Sequence, residues 1–237
     1  MKHLDLTLPT PEENLAADEA LLDARETGSM DGDVLRFWES PTPFVVVGYS
    51  NHLAREANLD ACRDAGVPVL RRCTGGGTVV QGPGCLNYTL ILRIPATGPL
   101  ATLAGTNHFI MQRHADALRP LLGDNVRATG TTDLALGDRK FSGNAQRRKR
   151  KFLLFHGTFL IGFDLALVAR LLHFPSRQPD YRQSRSHLDF VTNIPLTRDA
   201  VKGALRDAWR ADEPLREIST DIPAARYSTD EWNLKFP

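Results

Sequence analysis

The sequence predicts an α/β fold built around a central sheet, as one domain over residues 1–237. Three observations predict it. A chain of 237 residues is long enough to bury one large core. Strand-sized apolar runs alternate along it with segments whose apolar side chains recur at helical spacing. No internal repeat, low-complexity segment or linker divides it.

The elements follow in order. Pro11-Glu12-Glu13-Asn14 places acids in the first turn of an amphipathic helix that ends near Gly28. The runs at 34–38 and 44–48 are β-rich and flank Ser40-Pro41-Thr42-Pro43, which predicts two adjacent strands joined by a turn, both in the central sheet. A helix over 54–65 stops at Gly66, and a strand over 67–71 delivers the glycines that follow. Residues 86–94 form the clearest strand, and 107–122 a helix with Ala and Leu on one face, closed by Gly123-Asp124. After 128–136 comes a loop carrying Lys140. Residues 152–161 are near-continuously apolar, hence a central strand, with His156-Gly157-Thr158 as polar residues at its middle. A short helix over 165–172, an irregular polar stretch over 175–186 and a last helix over 197–211, N-capped by Thr197, complete the chain.

Composition excludes several partners. Lys and Arg number 29 against 28 Asp and Glu, a formal charge of +1, so neither nucleic acid nor an anionic membrane is expected and any basic site must be local. Cys62, Cys73 and Cys85 have no CxxC spacing, and the opening Met1-Lys2-His3-Leu4 lacks the apolar stretch of a signal peptide. A reducing cytoplasm is the expected setting. The apolar runs at 44–47 and 86–92 are too short to span a bilayer.

Two segments carry chemistry. Arg71-Arg72-Cys73-Thr74-Gly75-Gly76-Gly77-Thr78-Val79-Val80 sets three glycines after a basic pair, and without Cβ atoms the backbone amides can approach an anion closely. The segment is neither a Walker A loop nor a dinucleotide fingerprint. Arg71 and Arg72 point to opposite faces by the period of two, and Arg71 is taken to face the site. Gly137-Asp138-Arg139-Lys140-Phe141-Ser142-Gly143-Asn144 brings one lysine beside a compact, partly apolar stretch where an ammonium acts strongly on a nearby charge. The basic run Arg147 to Lys151 reads as a solvated hairpin tip, or as a surface that docks an acidic partner. His156 stands in an apolar strand and is either a satisfied core residue or part of a site, and Gly157 marks close approach by a ligand or another backbone. His3, His52, His108, His114, His156, His173 and His187 form no HxxxH or HExxH set, so no protein zinc site is expected. There is no Gly-x-Ser-x-Gly elbow. Cys73 and Cys85 read as small buried residues.

Over nearly the whole chain the sequence resembles the lipoate–protein ligase, octanoyltransferase and biotin ligase superfamily, most closely the lipoate–protein ligase A branch. The matching residues are Asn14-Leu15-Ala16-Ala17-Asp18-Glu19, Leu35-Arg36-Phe37-Trp38, Val46-Val47-Gly48, the Arg71 to Gly77 segment, Asp133-Leu134, Arg139 to Ala145 and His156-Gly157-Thr158. The resemblance implies a mixed β-sheet flanked by helices, like the catalytic domain of class II aminoacyl-tRNA synthetases and biotin protein ligases. It implies that lipoic or octanoic acid is activated with ATP and Mg²⁺ to an acyl-adenylate. One lysine of a lipoyl carrier, such as the glycine cleavage H protein or a 2-oxoacid dehydrogenase lipoyl domain, then takes the acyl group. By resemblance Lys140 is catalytic and binds the acyl carbonyl and α-phosphate. Arg71, Gly75, Gly76, Gly77, Thr78 and Val79 hold nucleotide and acyl chain, with Asp133, Ser142, Gly143, Ala145, His156, Gly157 and Thr158 in the same pocket. Asp133 is the one candidate Mg²⁺ contact.

Departures from the pattern shape the expectation. Gln81-Gly82-Pro83-Gly84 is closer to the His-Gly-Pro-Gly of octanoyltransferases than to the His-Asp of ligases, and Thr132 replaces the usual Asn. Octanoyltransferases use a cysteine near or after the lysine segment, whereas no cysteine follows Cys85. The 227–233 segment resembles the passage into a C-terminal accessory domain, which the chain is not expected to carry. The function expected is an ATP-dependent lipoate–protein ligase. A cysteine-independent transferase using a preformed acyl-adenylate or acyl-carrier donor, or a catalytic subunit served by a separate accessory protein, are its alternatives. A non-catalytic sensor and a biotin ligase rank below them.

Overall fold

The computed structural model describes residues 1–175, 177–215 and 224–237. Strands β1 (Lys2–Asp5), β2 (Val34–Trp38), β3 (Phe44–Val47), β4 (Val69–Arg71), β5 (Val79–Gln81), β6 (Cys85–Arg93), β7 (Val126–Thr129), β8 (Asp133–Leu136), β9 (Arg139–Arg148), β10 (Phe152–Leu160) and β11 (Glu213–Pro214) form two sheets. The larger runs β11-β1-β2-β6-β10-β9-β8-β7. It is mixed: β1 lies parallel to β11 and β2, and every other neighbour is antiparallel. The smaller runs β4-β3-β5, parallel then antiparallel. Around them pack α1 (Pro11–Thr27), α2 (Leu53–Glu56), α3 (Leu59–Asp64), α4 (Leu103–Leu122), α5 (Ala166–Leu171), α6 (His187–Phe190), α7 (Arg198–Trp209), α8 (Ala224–Tyr227) and α9 (Asp230–Asn233). The mixed sheet flanked by helices is the fold class the sequence led to expect.

Alternation decides which face of the large sheet is core. Leu86, Tyr88, Leu90 and Leu92 of β6, with Leu153, Phe155 and Phe159 of β10, pack with Ile110, Met111 and Leu118 of α4 and Val201 and Leu205 of α7. The alternate residues turn the other way, where Ile91, Phe152 and Leu154 meet Leu21 and Leu22 of α1. His156 and Thr158 continue that second row, so the polar residues inside an apolar strand look away from the main core. α1 is anchored by a capping box between Thr10 and Glu13 and ends on Gly28 at φ +83°.

Four expectations are corrected. β2 and β3 do not pair; β2 lies between β1 and β6 while β3 centres the small sheet, because 39–43 crosses between sheets instead of closing a hairpin. The helix expected over 54–65 is two: Ala57 bridges Leu172 and the Asn58 side chain caps α3 by accepting from Ala61 N. The lysine segment is not a loop but strand β9. Arg147, Arg148 and Lys149 are not a solvated tip, since they bond Glu19, the Leu100 and Ala101 carbonyls, and Asp23. The stretch over 175–186, of which Ser176 lies outside the described residues, is irregular except for the 3₁₀ turn Asp180–Arg182. Among the described residues no helix is long and apolar enough to cross a membrane.

Candidate functional site

A register shift in β9 aims the lysine. Ala135 of β8 pairs with Lys140 but Leu134 pairs with Ser142, which leaves Phe141 as an extra residue on β9. Phe141 is fully buried in the main core with Met111. The bulge therefore lets Lys140 and Gly143 share one face although they are three apart. A Cβ built on Gly143 would lie 2.8 Å from Lys140 Nζ, so the ammonium rests over the bare glycine. Lys140 Nζ lies 2.7 Å from Asp133 Oδ1, and Tyr181 Oη donates to Asp133 Oδ2 at 2.8 Å. Burial beside that carboxylate pushes the Tyr181 hydroxyl far up, so it stays a donor.

The basic pair behaves in the opposite sense to the expectation. Arg71 is wholly buried and its guanidinium donates to the Gly48, Tyr49, Asn51, Asn233 and Phe236 carbonyls, fastening the C-terminal residues to the end of β3. It does not line the cavity. Arg72 does. Its Nη2 donates to the Gly75 and Gly77 carbonyls, each at 2.6 Å, and its Nε to Thr74 Oγ1 at 2.9 Å. Burial pushes its pKa down to about 10, which still leaves it a cation near neutrality. The glycine loop thus wraps a guanidinium. Gly76, at φ +88°, has no room for a side chain: a Cβ would stand 2.9 Å from Arg72 Nη2 and 3.3 Å from the Ala145 Cβ. Because trans peptide N–H and C=O groups are antiparallel, the N–H groups of Gly76 and Thr78 point away from Arg72.

Beside this loop, β10 pairs His156 with Ala145 and Thr158 with Gly143. His156 Nε2 lies 2.7 Å from Thr74 Oγ1 and its Nδ1 3.5 Å from Asp18 Oδ2. Burial holds the imidazole below its usual pKa. Burial alone would raise the Asp18 carboxyl, but Arg36 at 2.6 Å and His156 outweigh it and hold it ionised. Thr158 donates to Asn87 Oδ1 and accepts from Gln81 Nε2. Gly157 makes room for a neighbouring side chain, since a Cβ there would collide with Asn144 Oδ1, which accepts from Tyr88 Oη at 2.6 Å.

These groups surround one cavity of about 880 Å³ between the two sheets. Its walls include Gly76, Gly77, Thr78, Val79, Asp133, Lys140, Ser142, Gly143, Ala145, His156, Gly157 and Thr158 from the expected set; Arg71 and Gly75 are not among them. One part is apolar, with Val80, Leu160, Val168 and Leu172, and suits an aliphatic chain. Sequence reading missed Arg72, Asn144 and Arg182. Arg182 reaches the wall from the 3₁₀ turn, held over the Phe190 ring at 4.7 Å and bonded to Arg185 O. No local pattern at 175–186 signals it; three arginines around the single aromatic Tyr181 form no recognisable spacing.

Two chemistries are limited by what lines the walls. Cys62, Cys73 and Cys85 are buried, none is on the cavity, and burial pushes the Cys73 thiol up to about 11 and Cys85 higher. Among the described residues no group of three or more His, Cys, Asp or Glu could hold a metal ion, and both Asp133 oxygens are engaged by Lys140 and Tyr181. The Asp133 carboxylate therefore serves the lysine and the tyrosine. Mg²⁺ arriving with a polyphosphate would keep phosphate and water ligands.

The model of the lipoyl protein ligase A/B catalytic domain matches residues 10–207. A protein of Aeropyrum pernix named for lipoate-protein ligase A is 29% identical over 214 residues, 90% of this chain and 76% of that one. An octanoyltransferase LipM of Brevibacillus brevis is 25% identical over 266 aligned positions, 95% of each chain. A solved bi-partite lipoate protein ligase of Thermoplasma acidophilum, described with its E2 lipoyl domain, superposes with a TM-score of 0.82 at 24% identity, covering 100% of this chain and 96% of that one. A lipoate-protein ligase A bound with ATP superposes at 0.77 and 24% identity, covering 100% and 99%. At these identities the two structures show the fold.

Proposed function

We propose, starting from the fact that the chain belongs to the lipoyl protein ligase A/B catalytic domain family, that it attaches a lipoyl or octanoyl group to a lysine of a lipoyl carrier domain through an acyl-adenylate. The observation that carries this reading is the Lys140 ammonium, fixed by Asp133 over Gly143 in the cavity that also exposes Gly76 to Val79. The acid's carboxylate attacks the α-phosphorus of MgATP, the bond to the bridging oxygen breaks and pyrophosphate leaves. The carrier lysine, as a neutral amine, then attacks the acyl carbonyl; the carbonyl–oxygen bond to AMP breaks and the amine proton passes to solvent. Negative charge grows on the α-phosphate in the first step and on the carbonyl oxygen in the second. An ammonium that needs no reorganisation lowers both barriers. Backbone N–H groups of the glycine loop are suited to the phosphate, and the Val80, Leu160, Val168 and Leu172 wall to the acyl chain.

ATP use is supported by the ATP-bound lipoate-protein ligase A that shares the fold. The octanoyltransferase relative and Gln81-Gly82-Pro83-Gly84 favour a second reading, acyl transfer from a preformed donor. Burial of all three thiols away from the cavity speaks against a thioester route to it. A separate accessory protein, as in the bi-partite Thermoplasma ligase, is the third arrangement.

Mass spectrometry of an apo-lipoyl domain separates the three. Modification with lipoate or octanoate and MgATP supports the complete ligase. Transfer from lipoyl-AMP alone supports a catalytic subunit, and transfer from an octanoyl carrier protein supports the transferase. An unmodified carrier with every donor would sink the reading.

A further inference from the structure

The glycine loop is tied to the first helix by a continuous series of buried and part-buried polar contacts. Asp18 on α1 is 1% exposed and stands between Arg36 Nη1 at 2.6 Å and His156 Nδ1 at 3.5 Å. His156 Nε2 meets Thr74 Oγ1 at 2.7 Å, and Thr74 Oγ1 meets Arg72 Nε at 2.9 Å. The same guanidinium holds the Gly75 and Gly77 carbonyls. Donor chemistry gives the series one direction. Arg72 Nε can only donate, so Thr74 accepts from it; the ionised Asp18 can only accept, so the neutral His156 ring turns its one N–H towards Asp18 and Nε2 takes the Thr74 hydrogen. Nε2 is then the acceptor nitrogen, and the ring proton sits on Nδ1, facing the Asp18 carboxylate. Asp18 selects the tautomer; the tautomer orients the Thr74 hydroxyl; the hydroxyl fixes Arg72; and Arg72 shapes the loop. Thr74 is itself 1% exposed and does not line the cavity, so its hydroxyl acts through others.

We propose that Asp18 is a positioning residue which, through His156, Thr74 and Arg72, sets the conformation of Gly75 to Gly77 and thereby the affinity of the cavity for an acyl-adenylate. The affinity part rests on the function proposed above; the conformational part does not.

Asp18→Asn leaves Arg36 buried beside a neutral amide and can fail to fold, so the deciding pair is Thr74→Val and Thr74→Ser. Valine keeps the volume and loses the hydroxyl; serine keeps it. Hydrogen–deuterium exchange of a peptide spanning 73–80 in the ligand-free protein is expected to quicken about tenfold in Thr74→Val, the size of one lost hydrogen bond. It should stay at the wild-type rate in Thr74→Ser, with β6 and β10 peptides unchanged in both. Calorimetric affinity for lipoyl-AMP should weaken about tenfold in the valine variant alone. Wild-type exchange in Thr74→Val, or valine-like exchange in Thr74→Ser, overturns the proposal. Wild-type protein that does not bind lipoyl-AMP sinks the functional reading instead, and the exchange pair still decides the loop.

Discussion

Lys140 Nζ occupies the space that a side chain at residue 143 would need: a Cβ on Gly143 would come within 2.8 Å of Nζ and 2.9 Å of Cε. The obstructed atoms are the far end of a flexible chain, so an added methyl displaces the ammonium and leaves the strand in place. Gly143→Ala is expected to fold with a melting temperature within about 4 °C of wild type, a shift of about 1 kcal/mol or less. Adenylate-dependent acylation of the carrier should fall at least about tenfold, since a displacement near 1 Å at a reacting centre can cost more than that. A fully active, equally stable variant would show that this placement of the ammonium is not the working one.

Asp133 and Lys140 make separable contributions. Removing the charge in Lys140→Ala should lower turnover by about 10²–10³, the usual loss for one preorganised charge-stabilising group. Asp133→Asn keeps the shape and the acceptor oxygen but loosens the ammonium and the Tyr181 hydroxyl together. Its turnover should fall less than that of Lys140→Ala, and the double variant should be no slower than Lys140→Ala alone, because both act through one ammonium. Additive losses measured by single-turnover acylation would separate the two residues.

Much of this arrangement was legible in the sequence. Gly76, Gly77, Lys140, Asp133 and the His156-Gly157-Thr158 strand all reach one cavity, because short local patterns fix strands and their exposed ends. What was not legible depends on pairing between distant segments. The period of two would put Lys140 on the face of Ser142 and Asn144; the bulge at Phe141 reverses that, and only the pairing with β8 reveals it. The same period rightly sent Arg71 and Arg72 to opposite sides but could not say which side held the cavity. That answer lies with Asn233 and Phe236, 162 and 165 residues away, whose carbonyls take up Arg71. Arg182 arrives from an irregular segment with no periodicity at all.

The thiols give a test of route. With its pKa pushed up to about 11, Cys73 carries about one thiolate in ten thousand at pH 7, and Cys62 and Cys85 are also raised by burial. The native protein should react slowly with an aromatic disulfide reagent and show three fast thiols only when unfolded. Each single Cys→Ala variant should keep acyl transfer while losing about 1 kcal/mol of stability. An acyl-thioester caught on any of the three by intact-mass measurement would restore the thioester route.

His114 gives a pH dependence of stability that arises in the main core. It is fully buried on α4, accepts from Trp209 Nε1 at 2.9 Å and stands against the Tyr88 ring at 4.8 Å, so only the neutral imidazole fits. Burial, helped by Arg113, pushes its pKa from 6.5 down to about 3. Between those values the unfolded chain binds a proton that the folded chain does not, so stability falls as the pH drops from 6.5 towards 3. At pH 5 this costs about 2 kcal/mol, from roughly 1.4 kcal/mol for each unit below the unfolded value. His114→Gln keeps an acceptor for Trp209 and does not titrate. Urea unfolding at pH 7 and pH 5 should show the wild type losing about 2 kcal/mol more than this variant. Equal losses would mean that the acid sensitivity arises elsewhere, the ionised Asp18 beside Arg36 being the next group to test.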